Sequence, residues 1–321
     1  MQVFSLILSQ MMMMFIFIII GYVLNKTGIL PKNSDTILSK LQINVFAAAQ
    51  IMYAMMSKCT VQTFRENSSL ILYGFILILV GIAFAYPLGH LISGKTKGDP
   101  EKVYQKNMVV YALAYGNSGF FGNFLVYQLW GVDMLFKYSM FTFPFNIINY
   151  TWGLYIATPK SNGKLRFTDF LKAIINAPTI ALVAGTLIGV TGLFQYVPDF
   201  VNTAFENASN CMGPMAMIIV GFVIGKFDTK ELLLIKKNYI IALLRLIILP
   251  AIMLTVCTLL GASNDLLAFI LAAFAAPVVT SAIIYPAIFG LDNRHPASMV
   301  LISTIFSVIT IPILFYLFVS I

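Results

Sequence analysis

Ala112-Leu-Ala-Tyr-Gly116-Asn-Ser-Gly119-Phe-Phe-Gly122-Asn-Phe-Leu-Val-Tyr-Gln-Leu-Trp130 is long and apolar enough to cross a bilayer, which takes about 20 helical residues. Its centre does not suit a rod facing lipid. Gly116, Gly119 and Gly122 loosen the helix, and Asn117, Ser118 and Asn123 would be costly against hydrocarbon. Non-helical backbone at membrane depth is tolerated only inside protein or against a water-filled cavity. The segment is therefore expected to break in the middle and to line a site.

The rest of the chain agrees with a membrane setting. It has 321 residues, 60% hydrophobic and 10% charged, with a mean hydropathy of +0.90; soluble domains run at roughly 45–50% apolar and 25% charged. Met1 to Leu24 holds no Lys or Arg, so it lacks the charged start of a signal peptide and reads as a first spanning helix. The net charge of +8 belongs to cytoplasmic loops and lipid headgroups rather than to nucleic acid binding. Cys59, Cys211 and Cys257 are odd in number and give no disulfide framework. His90 and His295 have no neighbours at metal-ligand spacing, and no metal or cofactor is expected.

Apolar segments divide the chain into ten expected spans: Val3–Leu24, Ile37–Met56, Leu70–Ile92, Ala112–Trp130, Leu135–Ile156, Ala173–Phe194, Thr203–Ile224, Asn238–Leu260, Leu266–Phe289 and Ala297–Ser320. In the sixth, Gly185 and Gly189 have the spacing that lets helices approach closely. The ninth is interrupted by Ala276-Pro277-Val278-Val279-Thr280-Ser281. With the N-terminus outside, inner loops hold 15 Lys or Arg and outer loops 3. This bias places both termini outside a plasma membrane. The expected class is an all-α polytopic membrane protein.

Ten spans divide into two fives, and an odd number per half forces the halves into opposite orientation. The fourth span of each half is the broken one. Both end alike, Leu129-Trp130-Gly131-Val132-Asp133 and Ile288-Phe289-Gly290-Leu291-Asp292. The reading is an inverted repeat: residues 1–157, a connecting cytoplasmic loop 158–172, and residues 173–321. In such transporters discontinuous helices meet near the midplane and form the site.

Gly116-Asn117-Ser118-Gly119-Phe120-Phe121-Gly122 resembles the Gly-Asn-Thr-Gly-Phe-x-Gly motif of the auxin efflux carrier family, which includes bacterial malate and malonate permeases. Gly213-Pro214-Met215 through Gly221, Ala272-Ala273 to Pro277, and His295-Pro296-Ala297-Ser298 are similar to its later spans. The chain departs from the family pattern at Phe124 and near Gln50, where members carry proline. The resemblance implies ten helices with two crossed, broken helices (spans 4 and 9). It implies a scaffold (spans 1, 2, 6, 7), a mobile domain (spans 3–5, 8–10) and a homodimer joined through the scaffold.

Helix ends supply the chemistry. At a break, a half-helix N-terminus leaves N–H groups unpaired and carries partial positive charge, which suits a carboxylate. Gly116, Asn117, Ser118, Gly119 and Gly122 from one break, with Pro277, Thr280 and Ser281 from the other, are the candidate binding residues for a small organic anion. Asn117 and Ser118 serve equally as helix caps, and Thr280 and Ser281 as ordinary helix contacts. Asn44 and Gln50 are candidates for the scaffold side. Arg245, roughly 12 Å along a helix from Lys237, is a candidate counter-charge; we expect it instead to snorkel to the inner headgroups. The coupling ion, Na⁺ or H⁺, is open, although no carboxylate lies deep in a span. A channel, a receptor that does not transport, and an amino acid as substrate are the alternatives. An intramembrane enzyme around His90 and Ser93 lacks a partner base.

Overall fold

The computed structural model describes residues 2–96, 99–157, 175–288 and 290–319; the expected connecting loop lies outside them. Every regular element among the described residues is helical. α1 (Gln2–Lys26) is the first long apolar helix. α2 (Ser34–Leu41) passes through a wide π-helical turn, Gln42–Ala47, into α3 (Ala48–Lys58). Thr60 opens α4 (Val61–Asn67) with a reciprocal capping box to Thr63, and α5 (Ser69–Ser93) follows.

α6 (Pro100–Ala114) corrects the expected fourth span. It starts 12 residues before Ala112, with the Asp99 carboxylate accepting from the N–H groups of Glu101 and Lys102 and Pro100 in its first turn. Both features favour a helix start. Its charged first turns, with Glu101, Lys102 and Lys106, hide it from a reading by hydropathy. The break therefore falls midway along a helix that runs on through a π-helical turn, Ser118–Gly122, into α7 (Asn123–Ile148). Within α7, Gly131 takes φ +74°, a left-handed conformation that kinks the helix there. A third π-helical turn, Asn149–Gly153, leads to α8 (Leu154–Ala157).

α9 (Ala177–Val190) and α10 (Asp199–Gly225) are joined by a short 3-10 turn. α11 (Thr229–Leu233) precedes α12 (Lys237–Leu243), which passes through a fourth π-helical turn, Leu244–Ile248, into α13 (Leu249–Leu259). The ring of Pro250 crowds the carbonyl four residues back, inside that turn. α14 (Asn264–Phe274), α15 (Ser281–Ile288) and α16 (Arg294–Phe318) complete the chain.

Among the described residues, five helical stretches are long and apolar enough to cross a membrane: Ile7–Lys26, Val61–Ser93, Asp199–Gly225, Lys237–Leu259 and Arg294–Phe318. The expected ninth span falls in two pieces, α14 of 11 residues and α15 of 8 residues, and neither reaches that length. α10 is central, with 67% of its most apolar window buried against 28% for α1. On α5, Leu72, Phe75, Ile76, Leu79 and Val80 face outward, as lipid-facing residues do.

Glycines set the closest approaches. A Cβ on Gly21 of α1 would lie 2.0 Å from the Ile218 carbonyl oxygen, and one on Gly221 of α10 would lie 1.9 Å from that of Ile18. The α1 and α10 backbones thus touch through paired glycines. Gly185 and Gly189 of α9 likewise allow close approach, against Met55 of α3 and Cys59 just beyond its end, as their spacing predicts.

Candidate functional site

The two interrupted helices touch at their interruptions. α6 ends at Ala114, and Tyr115 turns extended; α14 ends at Phe274, and helix resumes at Ser281. Between them Gly116 and Val278 form an isolated antiparallel bridge. The Asn117 N–H donates to the Pro277 carbonyl at 2.8 Å, and the Val279 N–H to that of Tyr115 at 3.4 Å. The Val278 N–H donates to Ser303 Oγ of α16 at 3.0 Å. Each break thereby satisfies backbone groups that its own helix leaves open.

Side chains join the breaks as well. Asn117 Nδ2 donates to Thr280 Oγ1 at 3.2 Å, while its Oδ1 accepts from the Phe120 N–H at 3.4 Å. Asn117 is thus both a cap and a cross-link. Tyr138 Oη donates to the Ser118 carbonyl at 3.2 Å. Ser281 Oγ lies 2.7 Å from Tyr111 Oη, which also donates to Asn149 Oδ1.

The restarting helix ends open on a cavity of about 120 Å³. Asn117, Ser118 and Gly119 line it from one break, and Thr280 and Ser281 from the other. Asn146, Asn149, Tyr115, Phe120, Tyr150 and Tyr285 form much of the remaining wall, and no lining residue is charged. Tyr115 stacks on Trp152 with ring centroids 5.9 Å apart, and Tyr111 on Tyr285 at 6.3 Å. The volume is below the roughly 300–1,000 Å³ of sites for drug-sized ligands.

The other candidates lie elsewhere. Gly116 both forms the bridge and lines the cavity, whereas Pro277, whose carbonyl accepts from the Asn117 N–H, is not in the wall. Gly122 is buried under Tyr138, whose hydroxyl would sit 2.2 Å from a Cβ there. Gln50 is fully buried, with neither amide atom hydrogen-bonded, and is not in the cavity wall. Asn44 is exposed and donates to the Lys40 carbonyl at 2.8 Å. It borders a separate groove of about 560 Å³ lined by Ala and Phe side chains of α9 and α10. That groove is larger, but no set of polar groups converges on it.

Arg245 overturns the expectation that it snorkels. It is fully buried. Nη1 donates to the carbonyls of Leu113 at 3.1 Å and Ala114 at 3.4 Å, and Nη2 to that of Ala273 at 3.0 Å. These are the C-terminal ends of α6 and α14. Distance along a helix measures reach toward headgroups but not which face the side chain leaves from. Asn146, Asn149, Tyr150 and Tyr285 were missed as wall residues. For the two asparagines, a polar pair at i, i+3 in an apolar helix was the available signal.

The model of a family described as membrane transport protein matches residues 6–315. The chain belongs to this family, the auxin efflux carrier-like membrane transporters. No curated protein matches it. Members of this transporter family are not enzymes. His90 Nδ1 faces the Tyr86 carbonyl at 2.8 Å, and Nε2 faces Lys106 Nζ at 3.3 Å. Of the two departures from the family pattern, Phe124 packs its ring directly over Gly213, where a Cβ would sit 1.7 Å from the ring. Gln50 leaves an unsatisfied buried amide.

Proposed function

We propose that this transporter carries a small organic anion, a carboxylate on the scale of malonate or malate, by alternating access. The reading rests on one convergence: two helix N-termini, with Asn117, Ser118, Thr280 and Ser281, border one small uncharged cavity. Such N-termini together supply positive potential, which favours a carboxylate without a charged side chain in the wall. Hydroxyl and amide groups set its orientation.

In this reading ten spans form two inverted repeats, 1–157 and 173–321, in a plasma membrane with both termini outside. The scaffold is α1, α3, α9 and α10, through which two copies pair, and the remaining helices move against it. Three observations support it. The interrupted helices meet at their breaks. Gly131 and Gly290, at the centre of the matching pentapeptides, both take left-handed φ, +74° and +67°. The glycine-mediated contacts join α1 to α10 and α3 to α9.

Uptake into proteoliposomes of labelled malonate, malate, an indole acid and an amino acid tests the proposal. Saturable uptake of the small carboxylates is expected. Loss of a hydrogen bond to a charged ligand, about 1.5–3 kcal/mol, makes Asn117→Ala weaker by roughly 10- to 100-fold. A folded Asn117→Ala protein with wild-type uptake overturns the site, and unitary channel conductance overturns the carrier mechanism.

A further inference from the structure

Transporters built on interrupted helices hold coupling cations on unwound carbonyls and half-helix C-termini. In this chain those carbonyls already have a cation. The Arg245 guanidinium bonds Leu113 and Ala114 at the end of α6 and Ala273 in the last turn of α14. One side chain thus bridges both C-terminal ends, where the helix dipoles concentrate negative charge. Its carbon centre lies 5.7 Å from the centroid of the Phe274 ring. A Cβ on Gly116 would come within 2.0 Å of Nη2, so glycine there leaves the guanidinium its seat. Among the described residues Arg245 has no carboxylate partner, and no Asp or Glu is buried.

We propose that Arg245 is a resident cation standing where a co-transported Na⁺ would be held, so that this carrier does not couple to Na⁺. A guanidinium offers planar donors that fit carbonyls from two helices at once, and it cannot dissociate. A second cation about 4 Å away would be disfavoured roughly a thousandfold at an effective dielectric constant of about 20. The inference rests on family membership and on these contacts; it stands or falls apart from the choice of anion.

Thermal unfolding of the purified full-length protein tests it without a substrate. Melting midpoints are compared in NaCl and in choline chloride at equal ionic strength, with and without low-millimolar guanidinium chloride. The wild-type midpoint is expected to be the same in both salts and unmoved by guanidinium. Arg245→Ala, which leaves three buried carbonyls unpaired, is expected to fall by about 5 °C or more and to recover part of that fall with guanidinium. Arg245→Lys keeps the charge and is expected to remain indifferent to Na⁺. A saturable, Na⁺-specific rise in the wild type or in Arg245→Lys overturns the proposal, and these two arms decide even if Arg245→Ala does not fold. An Arg245→Ala protein that melts like wild type, or whose fall guanidinium leaves unchanged, overturns it as well.

Discussion

Gly116 and Gly119 are three residues apart and serve different ends. A side chain at 116 would strike Arg245 and the Ala273 carbonyl, whereas one at 119 would meet nothing within 4 Å. Overpacking costs about 1–3 kcal/mol. Gly116→Ala should therefore lower the melting midpoint. Gly119→Ala should melt like wild type yet lose uptake severalfold, because the added methyl enters the cavity. Asn117 separates capping from binding in a similar way. Asn117→Asp keeps the acceptor that caps Phe120 but loses the donor to Thr280 and adds negative charge. We expect a midpoint near wild type with anion uptake abolished; wild-type uptake by Asn117→Asp would confine the residue to capping. Just before α16, hydrogen bonds from the Arg294 side chain hold the Asp292 carboxyl below its usual range. A depressed folded-state pKa gives stability that is present above the unfolded value and lost as pH falls through the folded one. The difference in midpoint between wild type and Asp292→Asn should be flat from about pH 5 to 8 and shrink below about pH 4.

Four helices widen into π-helical turns, and each turn carries polar groups: Gln42 and Asn44, Ser118, Asn149, and Arg245. Such turns occur often at functional sites, and three of these contribute to the cavity wall, through Ile43, Ser118 and Asn149. Their positions are not legible in sequence, because one added residue shifts the phase of an apolar stripe and largely apolar membrane helices show little stripe to shift. Helix pairing is more legible. The spacing of Gly185 and Gly189 was enough to expect a close contact, although not to name α3 as the partner. The α1–α10 pair gives the sharpest test. Gly221→Val would drive a branched side chain into the Ile18 backbone. It should lower the melting midpoint by several degrees, read in detergent by intrinsic fluorescence; an unchanged midpoint would mean that the two backbones do not touch.

Across the whole molecule, α3 and α7 are tied by the ion pair Lys58–Asp133 at 3.0 Å. Both partners are substantially exposed, so the pair adds little stability. It does mark where the proposed scaffold meets the proposed moving part. Cysteines at these two positions, with Cys59, Cys211 and Cys257 replaced, permit a reducible cross-linker to join the two parts. Uptake should stop on cross-linking and return on reduction. Uptake that persists through the cross-link would show that these helices do not move against each other.

Membrane class, the interruption of two helices and the polar residues at those breaks were all legible in the residues, because hydropathy, glycine and proline act locally. The family followed from the motif around Gly116. What the sequence left open were contacts between distant segments. The meeting of the two breaks was expected from the inverted repeat, but the removal of Asn44 from the site and the choice of cavity wall depend on which faces pack together. Arg245 shows the physical reason: its depth is counted along one helix, but its partners are carbonyls of two others. Burial without a counter-ion is tolerable only because tertiary packing brings both helix ends to it.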